Sequence, residues 1–359
     1  MKICYLADIN NYHTQKWCNY FLSQGHEVLV ISLTDGHIAG CRAFCFGFSN
    51  VKGLSSVSKV KYLLTISKIK KILQKEKPDI LHSHYASSYG LIGSLTNYKP
   101  HIISLWGSDV YSFPNKSLIH RKTLELSLNS NSEIFSTSKC MKVEAEKYLK
   151  TNKNIVITPF GVDLSVFHPT KRKGHSRFII GINKSLEPVS GIDILIKSMD
   201  IISRNLDINN FELRISGKGG KDAELKKLVK DLNLTDHVKF YGFLSQGEMA
   251  NFLNDLDIAV YPSLAESFGV AAVEAQACGT PVITSDVDGF KESTEPGVTS
   301  LLFKQGNAKE LAEKIIHLYL NRGKIDKMRE KGIELAAEKF NININFREVE
   351  KEYEKILNY

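Results

Sequence analysis

The sequence predicts an α/β protein built as two doubly wound parallel-sheet domains. Short apolar runs alternate with helical patterns from the first residues onward. The alternation breaks in the charged stretch His168–Arg177 and then restarts at Phe178. A chain of 359 residues is long enough for two domains of about 150–180 residues each.

Ile3–Ala7 reads as the first strand, and Asp8–Asn11 as the loop at its carboxyl end. A helix over Thr14–Ser23 follows, stopped by Gly25, then strands His26–Leu33 and Cys41–Phe46. Lys59–Lys75 has helical spacing, with Tyr62, Ile66, Ile69 and Leu73 on one face and lysines around the other. Pro78 ends it. Asp79–His84, His101–Trp106, Glu133–Ser136 and Asn154–Thr158 complete the first set of strands.

The second set runs Phe178–Asn183, Glu212–Ser216, Val238–Tyr241, Ile258–Tyr261 and Val282–Ser285. Helices Ile192–Ser203, Ala223–Leu232 and Glu248–Asn254 lie between them, and Ala308–Leu320, Ile325–Lys339 and Asn343–Leu357 close the chain. The expected organisation is 1–168 as the first domain, 169–340 as the second, and 341–359 as a terminal helix. Ligands in such sheets bind outside the carboxyl ends of the strands, so the loops there carry the functional reading.

The most informative loop is Tyr261–Pro281, YPSLAESFGVAAVEAQACGTP. A buried strand turns at Pro262-Ser263, and a helix of small and apolar residues runs from Gly269 until Cys278-Gly279-Thr280-Pro281 stops it. Glu274 on that helix either pairs with a basic side chain or accepts from vicinal ribose hydroxyls. Glu266 precedes the helix, where it is either solvated or a sugar ligand. The backbone N–H groups of Ser267, Phe268, Gly269 and Val270 form an anion site at the helix start. Sugar, phosphate and ribose contacts in one short segment outline a nucleotide-sugar site.

Bulk properties limit the partners. Residues 1–170 hold 20 Lys+Arg against 11 Asp+Glu, while 171–359 hold 27 against 28. Nucleic acid is one explanation of the excess positive charge in the first half, but no aromatic-basic module or zinc spacing supports it. An anionic membrane surface or a phosphate-linked acceptor fits better. The six cysteines lack a Cys-x-x-Cys pair, so buried free thiols in a reducing compartment are expected and a metal site is not. No leader and no spanning segment is expected, since no run approaches the ~18 apolar residues needed.

The Glu-x7-Glu string of Tyr261–Pro281 resembles the signature of the retaining family-four glycosyltransferases. Other strings that look like the family's are Ser23–Ser32, Pro78–His84, Ser104–Val110, Thr158–Asp163, Ser185–Ile192, Val238–Phe243 and Asp286–Glu292. The resemblance covers roughly residues 2–340. It implies the GT-B fold of two facing Rossmann-like domains, with the terminal helix crossing back onto the first. It also implies a metal-independent, cofactor-free transferase whose co-substrate is a nucleotide sugar, first of all a UDP-sugar, held mainly by the second domain. Glu266 would contact the donor hexose, Glu274 the ribose, the Phe268–Val270 amides the diphosphate, and Gly242-Phe243 the base.

This chain departs from the family pattern in places. The family's Arg and Lys on the diphosphate correspond to Lys184 and to Val189 or Ser190, so one cation is missing; Lys218 is a candidate replacement. Trp106-Gly107 stands where His-Gly is usual, either stacking on a sugar or simply buried. Asp109 is an acceptor-hydroxyl ligand or a helix cap. His82 and His84 share one face of a strand, with His84 the better acceptor-site candidate. Asn10-Asn11 replaces a glycine pair, leaving Asn11 a backbone contact at most.

Glu266, Asp109 and His84 are thus the catalytic candidates, and Asn11, His84, Trp106 and Asp109 the acceptor-side ones. The expected activity is hexosyl or N-acetylhexosaminyl transfer, with retention, to a glycan or lipid-linked saccharide in cell-surface polysaccharide assembly. The expected location is cytoplasmic, peripheral to the inner face of the membrane. The alternatives are an epimerase or phosphorylase on this architecture, or a non-catalytic sugar-nucleotide-binding subunit.

Overall fold

A computed structural model describes residues 1–48, 64–171 and 174–358. It divides into two compact units, Met1–Pro159 with Phe346–Tyr359, and Phe160–Asn345. In the first, seven parallel strands are β1 (Lys2–Leu6), β2 (Glu27–Ser32), β3 (Arg42–Cys45), β4 (Ile80–His84), β5 (His101–Leu105), β6 (Glu133–Ser136) and β7 (Ile155–Ile157). Their order is β3-β2-β1-β4-β5-β6-β7. The chain builds outward from β1 to β3 and returns to β4, so the strand order reverses between β1 and β4. β4 and β5 are buried at every residue, as strands of a covered parallel sheet should be, although they carry His82, Ser83, His84, His101 and Ser104; the edge strand β3 is partly exposed.

The second unit repeats the plan with β8 (Phe178–Asn183), β9 (Phe211–Ser216), β10 (Val238–Gly242), β11 (Ile258–Tyr261), β12 (Val282–Ser285) and β13 (Ser300–Phe303). The order β10-β9-β8-β11-β12-β13 reverses between β8 and β11. Two doubly wound parallel sheets are therefore present, as the sequence predicts. β13 was not anticipated; it is only four residues long.

The lysine-rich helix spans Ile66–Glu76, with Ile69 and Leu73 buried and Lys68, Lys71 and Lys75 exposed. Its expected start at Lys59, together with Lys61 and Tyr62, lies outside the described residues. Short helices at Leu91–Thr96, Ser108–Tyr111, Leu118–Leu128 and Lys139–Glu146 escaped the sequence reading. The terminal helix Ile342–Leu357 returns to the first unit. There Phe346 meets Trp17 and Tyr20, Glu350 lies 2.5 Å from His26, and the Tyr353 hydroxyl lies 2.5 Å from His82 Nδ1.

No described helix is long and apolar enough to cross a membrane. All six cysteines are free; Cys4, Cys18, Cys41 and Cys278 are buried as expected. Cys45 is exposed and Cys140 half-buried, which corrects the expectation for those two; Cys45 ends the edge strand.

Candidate functional site

The second sheet brings Lys184 and Glu266 together from its two reversal-point loops. Lys184 follows β8 and Glu266 lies in the loop after β11; their Nζ and Oε2 atoms are 2.5 Å apart. Both side chains are mostly shielded, at 20% and 13% exposure. Close backbone approach fixes this geometry. Leu264 N–H donates to the Val189 carbonyl at 2.8 Å. A Cβ on Gly191 (φ 64°) would stand 2.0 Å from the Pro262 carbonyl oxygen, and one on Gly217 (φ 146°) 1.9 Å from that of Lys184. Glycine alone fits at these two positions. The sequence reading named both side chains as donor contacts but not their pairing, since they are separated by 82 residues.

The helix expected after Glu266 spans Val270–Ala277 and is buried at Ala272, Val273, Ala275, Gln276 and Ala277. Glu274 is half-buried on it. Burial, and then the Glu274 charge, raises the Tyr261 hydroxyl well above its usual range and pushes the Cys278 thiol to about 12. The Tyr261 hydroxyl lies 2.6 Å from Asn183 Oδ1 and 2.8 Å from the Ala271 carbonyl. It thereby ties the first turn of this helix to the end of β8. Tyr261 and Asn183 were missed as site supports, although a tyrosine closing an apolar strand was a usable signal.

Phe268 is buried, its ring 5.4 Å from that of Phe340, so only its backbone is available to a ligand. Lys218 and Phe243 meet at the loops after β9 and β10, the Nζ 5.9 Å from the ring centroid, and Phe243 is 72% exposed. Gly217 N–H donates to the Gly242 carbonyl at 2.8 Å and joins those loops. Of the two positions open for a second cation, Val189 is 47% exposed while Ser190 is buried.

Neutral rings fill the reversal point of the first sheet. His82 is satisfied at both nitrogens, by the Tyr353 hydroxyl and by Ser104 Oγ at 2.7 Å. His84 has Nδ1 3.3 Å from Thr14 Oγ1 and no hydrogen-bond partner for its buried Nε2 among the described residues. Burial lowers His84 to about 3 and His13 to about 4, so both are neutral at ordinary pH. Trp106 is buried against His84 (4.4 Å), Tyr85 (5.1 Å) and His13 (5.6 Å). That is the buried alternative left open by the sequence.

Asp109 is turned inward. Its carboxylate accepts from the N–H groups of Ala86 (2.9 Å), Gly107 (2.9 Å) and Trp106 (3.2 Å), drawing the loops after β4 and β5 together. Burial raises its pKa, and the backbone hydrogen bonds partly offset this. It occupies the second position of the Ser108–Tyr111 helix and reaches back past the cap. Asn11 Oδ1 accepts from His13 N–H at 2.8 Å, capping helix Tyr12–Ser23. Among the described residues no group of three or more His, Cys, Asp or Glu is placed to hold a metal ion.

Two family models match this chain, glycosyl transferase 4-like over residues 2–138 and glycosyl transferases group 1 over residues 166–335. An uncharacterized glycosyltransferase of Methanocaldococcus jannaschii is 32% identical, over 79% of this chain and 78% of its own length. The chain belongs to the group 1 glycosyltransferases. The amylovoran biosynthesis glycosyltransferase of Erwinia amylovora is 28% identical over 75% of the chain and 69% of its own length. Relatives named D-inositol 3-phosphate glycosyltransferase are matched over less than half of their length. The crystal structure of Anabaena HepE in complex with UDP-glucose has a TM-score of 0.80 at 18% identity, covering 99% of this chain and all of that one, a likeness of fold. In this group 1 glycosyltransferase the Lys184 ammonium is held by the Glu266 carboxylate.

Proposed function

We propose that this glycosyltransferase moves a hexose or N-acetylhexosamine, with retention, from a UDP-sugar to a glycan acceptor. The observation that carries the reading is the Lys184–Glu266 pair at the reversal of the second sheet, in front of the buried helix bearing Glu274. A diphosphate competes for Lys184 better than one carboxylate does, because it brings more charge and also meets the helix-start amides. Its arrival releases Glu266 to the hexose hydroxyls, while Glu274 accepts from the ribose. Binding of the donor thus converts an internal ion pair into two ligand contacts.

Transfer follows by front-face attack. The acceptor oxygen bonds to the anomeric carbon as the bond to phosphate breaks, and the departing phosphate oxygen takes the acceptor's proton. Glu266 orients the sugar and forms no covalent bond. His84, with its unpartnered Nε2, is the acceptor-side contact, and Asp109 and Asn11 position the loops around it. The reading needs no metal, since Lys184 and the amides supply positive potential. The UDP-glucose carried by the Anabaena structure supports a uridine donor, and the amylovoran relative supports polysaccharide assembly.

The charge of the first 170 residues supports a location at the anionic inner face of the membrane, beside a lipid-linked acceptor. A thermal-shift panel of UDP-, GDP- and ADP-sugars tests the donor; a ligand at ~100 times Kd adds about 2.7 kcal/mol. Product analysis by NMR then tests retention. An altered sugar nucleotide without acceptor would mean an epimerase, dependence on inorganic phosphate a phosphorylase, and binding without turnover a non-catalytic subunit.

A further inference from the structure

The Leu118–Leu128 helix of the first unit carries an outward aliphatic face that the fold does not use. Its buried side is Leu124, Ser127 and Leu128. On the other side Leu118, Ile119 and Leu126 are 80%, 77% and 66% exposed. At ~100° per residue, positions 118, 119, 122 and 126 fall within an arc of about 100°. Lys122 therefore lies among the three aliphatic side chains, with Lys116 and Arg121 beside them. Glu125, the one carboxylate in the sequence of this helix, pairs with Arg121 and Lys122 at 3.1 Å each and is itself largely covered. The stripe begins at an ordered helix start, where Ser117 accepts from His120 N–H.

We infer that this face is the surface by which the protein docks on an anionic lipid bilayer, the aliphatic side chains entering the headgroup boundary and the cations meeting lipid phosphates. Single exposed leucines are ordinary on soluble proteins, but three on one arc around a lysine match an interfacial helix. A protein partner fits less well, because the stripe has none of the tryptophan or tyrosine that anchors protein interfaces, where leucine is under-represented. The inference rests on the membrane reading above and assigns its main contact to this helix rather than to the lysine-rich Ile66–Glu76 helix.

The test is co-sedimentation of the full chain with vesicles of phosphatidylcholine alone or mixed with phosphatidylglycerol. Three proteins are compared: wild type, Leu118→Ser/Ile119→Ser/Leu126→Ser, and Lys68→Glu/Lys70→Glu/Lys71→Glu. The aliphatic variant should lose about tenfold or more in partitioning to anionic vesicles, at both about 0.1 M and about 0.5 M salt. Its thermal unfolding and UDP binding should match wild type. Undiminished binding by that variant, with loss in the lysine variant, overturns the docking face and leaves the membrane reading intact. No vesicle binding by wild type overturns both. A wild-type dimer that the aliphatic variant dissociates would make a second copy the occupant, and would also overturn the inference.

Discussion

At the reversal of its strand order the first unit gathers His82, His84 and Trp106, all buried and without charge, whereas the second gathers Lys184, Glu266 and Glu274. The same doubly wound plan thus ends in opposite chemistry. Neutral rings suit hydroxyl-rich, uncharged groups, while a shielded ion pair suits a ligand that carries charge. The difference also sets how each unit fails. Acid protonates buried imidazoles that have no room for charge, but the Lys184–Glu266 pair meets a ligand by exchange.

Acidification should separate the two units most strongly. His13, His84 and His101 are held at about 4, 3 and 3, and His82 well below its usual value, all chiefly by burial. Nearby Lys16 adds to the effect on His13, and Lys153 to that on His101. These depressed values mean the unfolded chain binds more protons below about 6.5, so stability is full above that pH and falls as pH drops toward 3–4. Both tryptophans, Trp17 and Trp106, belong to the first unit. Their emission should therefore change at a higher pH than the bulk of the far-UV dichroism. Coincident transitions would erase the contrast.

Lys184→Ala should weaken UDP binding by about 1.5–3 kcal/mol, enough to remove a measurable signal in calorimetry. It also leaves Glu266 without the ammonium. Adding Glu266→Gln should therefore recover part of the loss, a non-additivity that a double-mutant cycle reads directly. Wild-type affinity in Lys184→Ala would move the diphosphate contact to Lys218.

The two glutamates should divide their effects. Glu274→Ala should cost about 1–3 kcal/mol of donor binding through lost ribose hydrogen bonds, seen as a raised donor KM. Glu266→Ala should lower kcat more than it raises that KM. An unchanged KM in the first variant would leave Glu274 a structural carboxylate.

The smallest effect expected is a gain. Val189→Lys should tighten UDP modestly, because its side chain is outward, whereas Ser190→Lys should instead lower the melting temperature by burying a charge. Tighter binding by the Ser190 variant would reverse that assignment.

The contrast between the units was legible only in part before folding. Alternating apolar runs identified most strands, since a covered parallel sheet needs continuous apolar sequence whatever its neighbours. The small-residue helix after Glu266 was equally plain, because few chemistries tolerate a carboxylate on a buried helix. The Leu118–Leu128 helix was not, for its outward face is as apolar as its inward one and the helical period disappears. The role of Asp109 was also hidden, because a backbone N–H donor 23 residues away, that of Ala86, carries no side-chain signature.

The sequence by itself determined the two sheets, their family and the Glu-x7-Glu segment, all of which depend on local pattern. Tertiary structure alone decided that Lys184 meets Glu266, that His82 is spent on Tyr353 while His84 keeps an unpartnered nitrogen, and that Val189 rather than Ser190 faces outward. Each of these depends on residues far apart in the chain or on which way a short turn faces. Such choices are made by packing and hydrogen-bond satisfaction, and no periodicity records them.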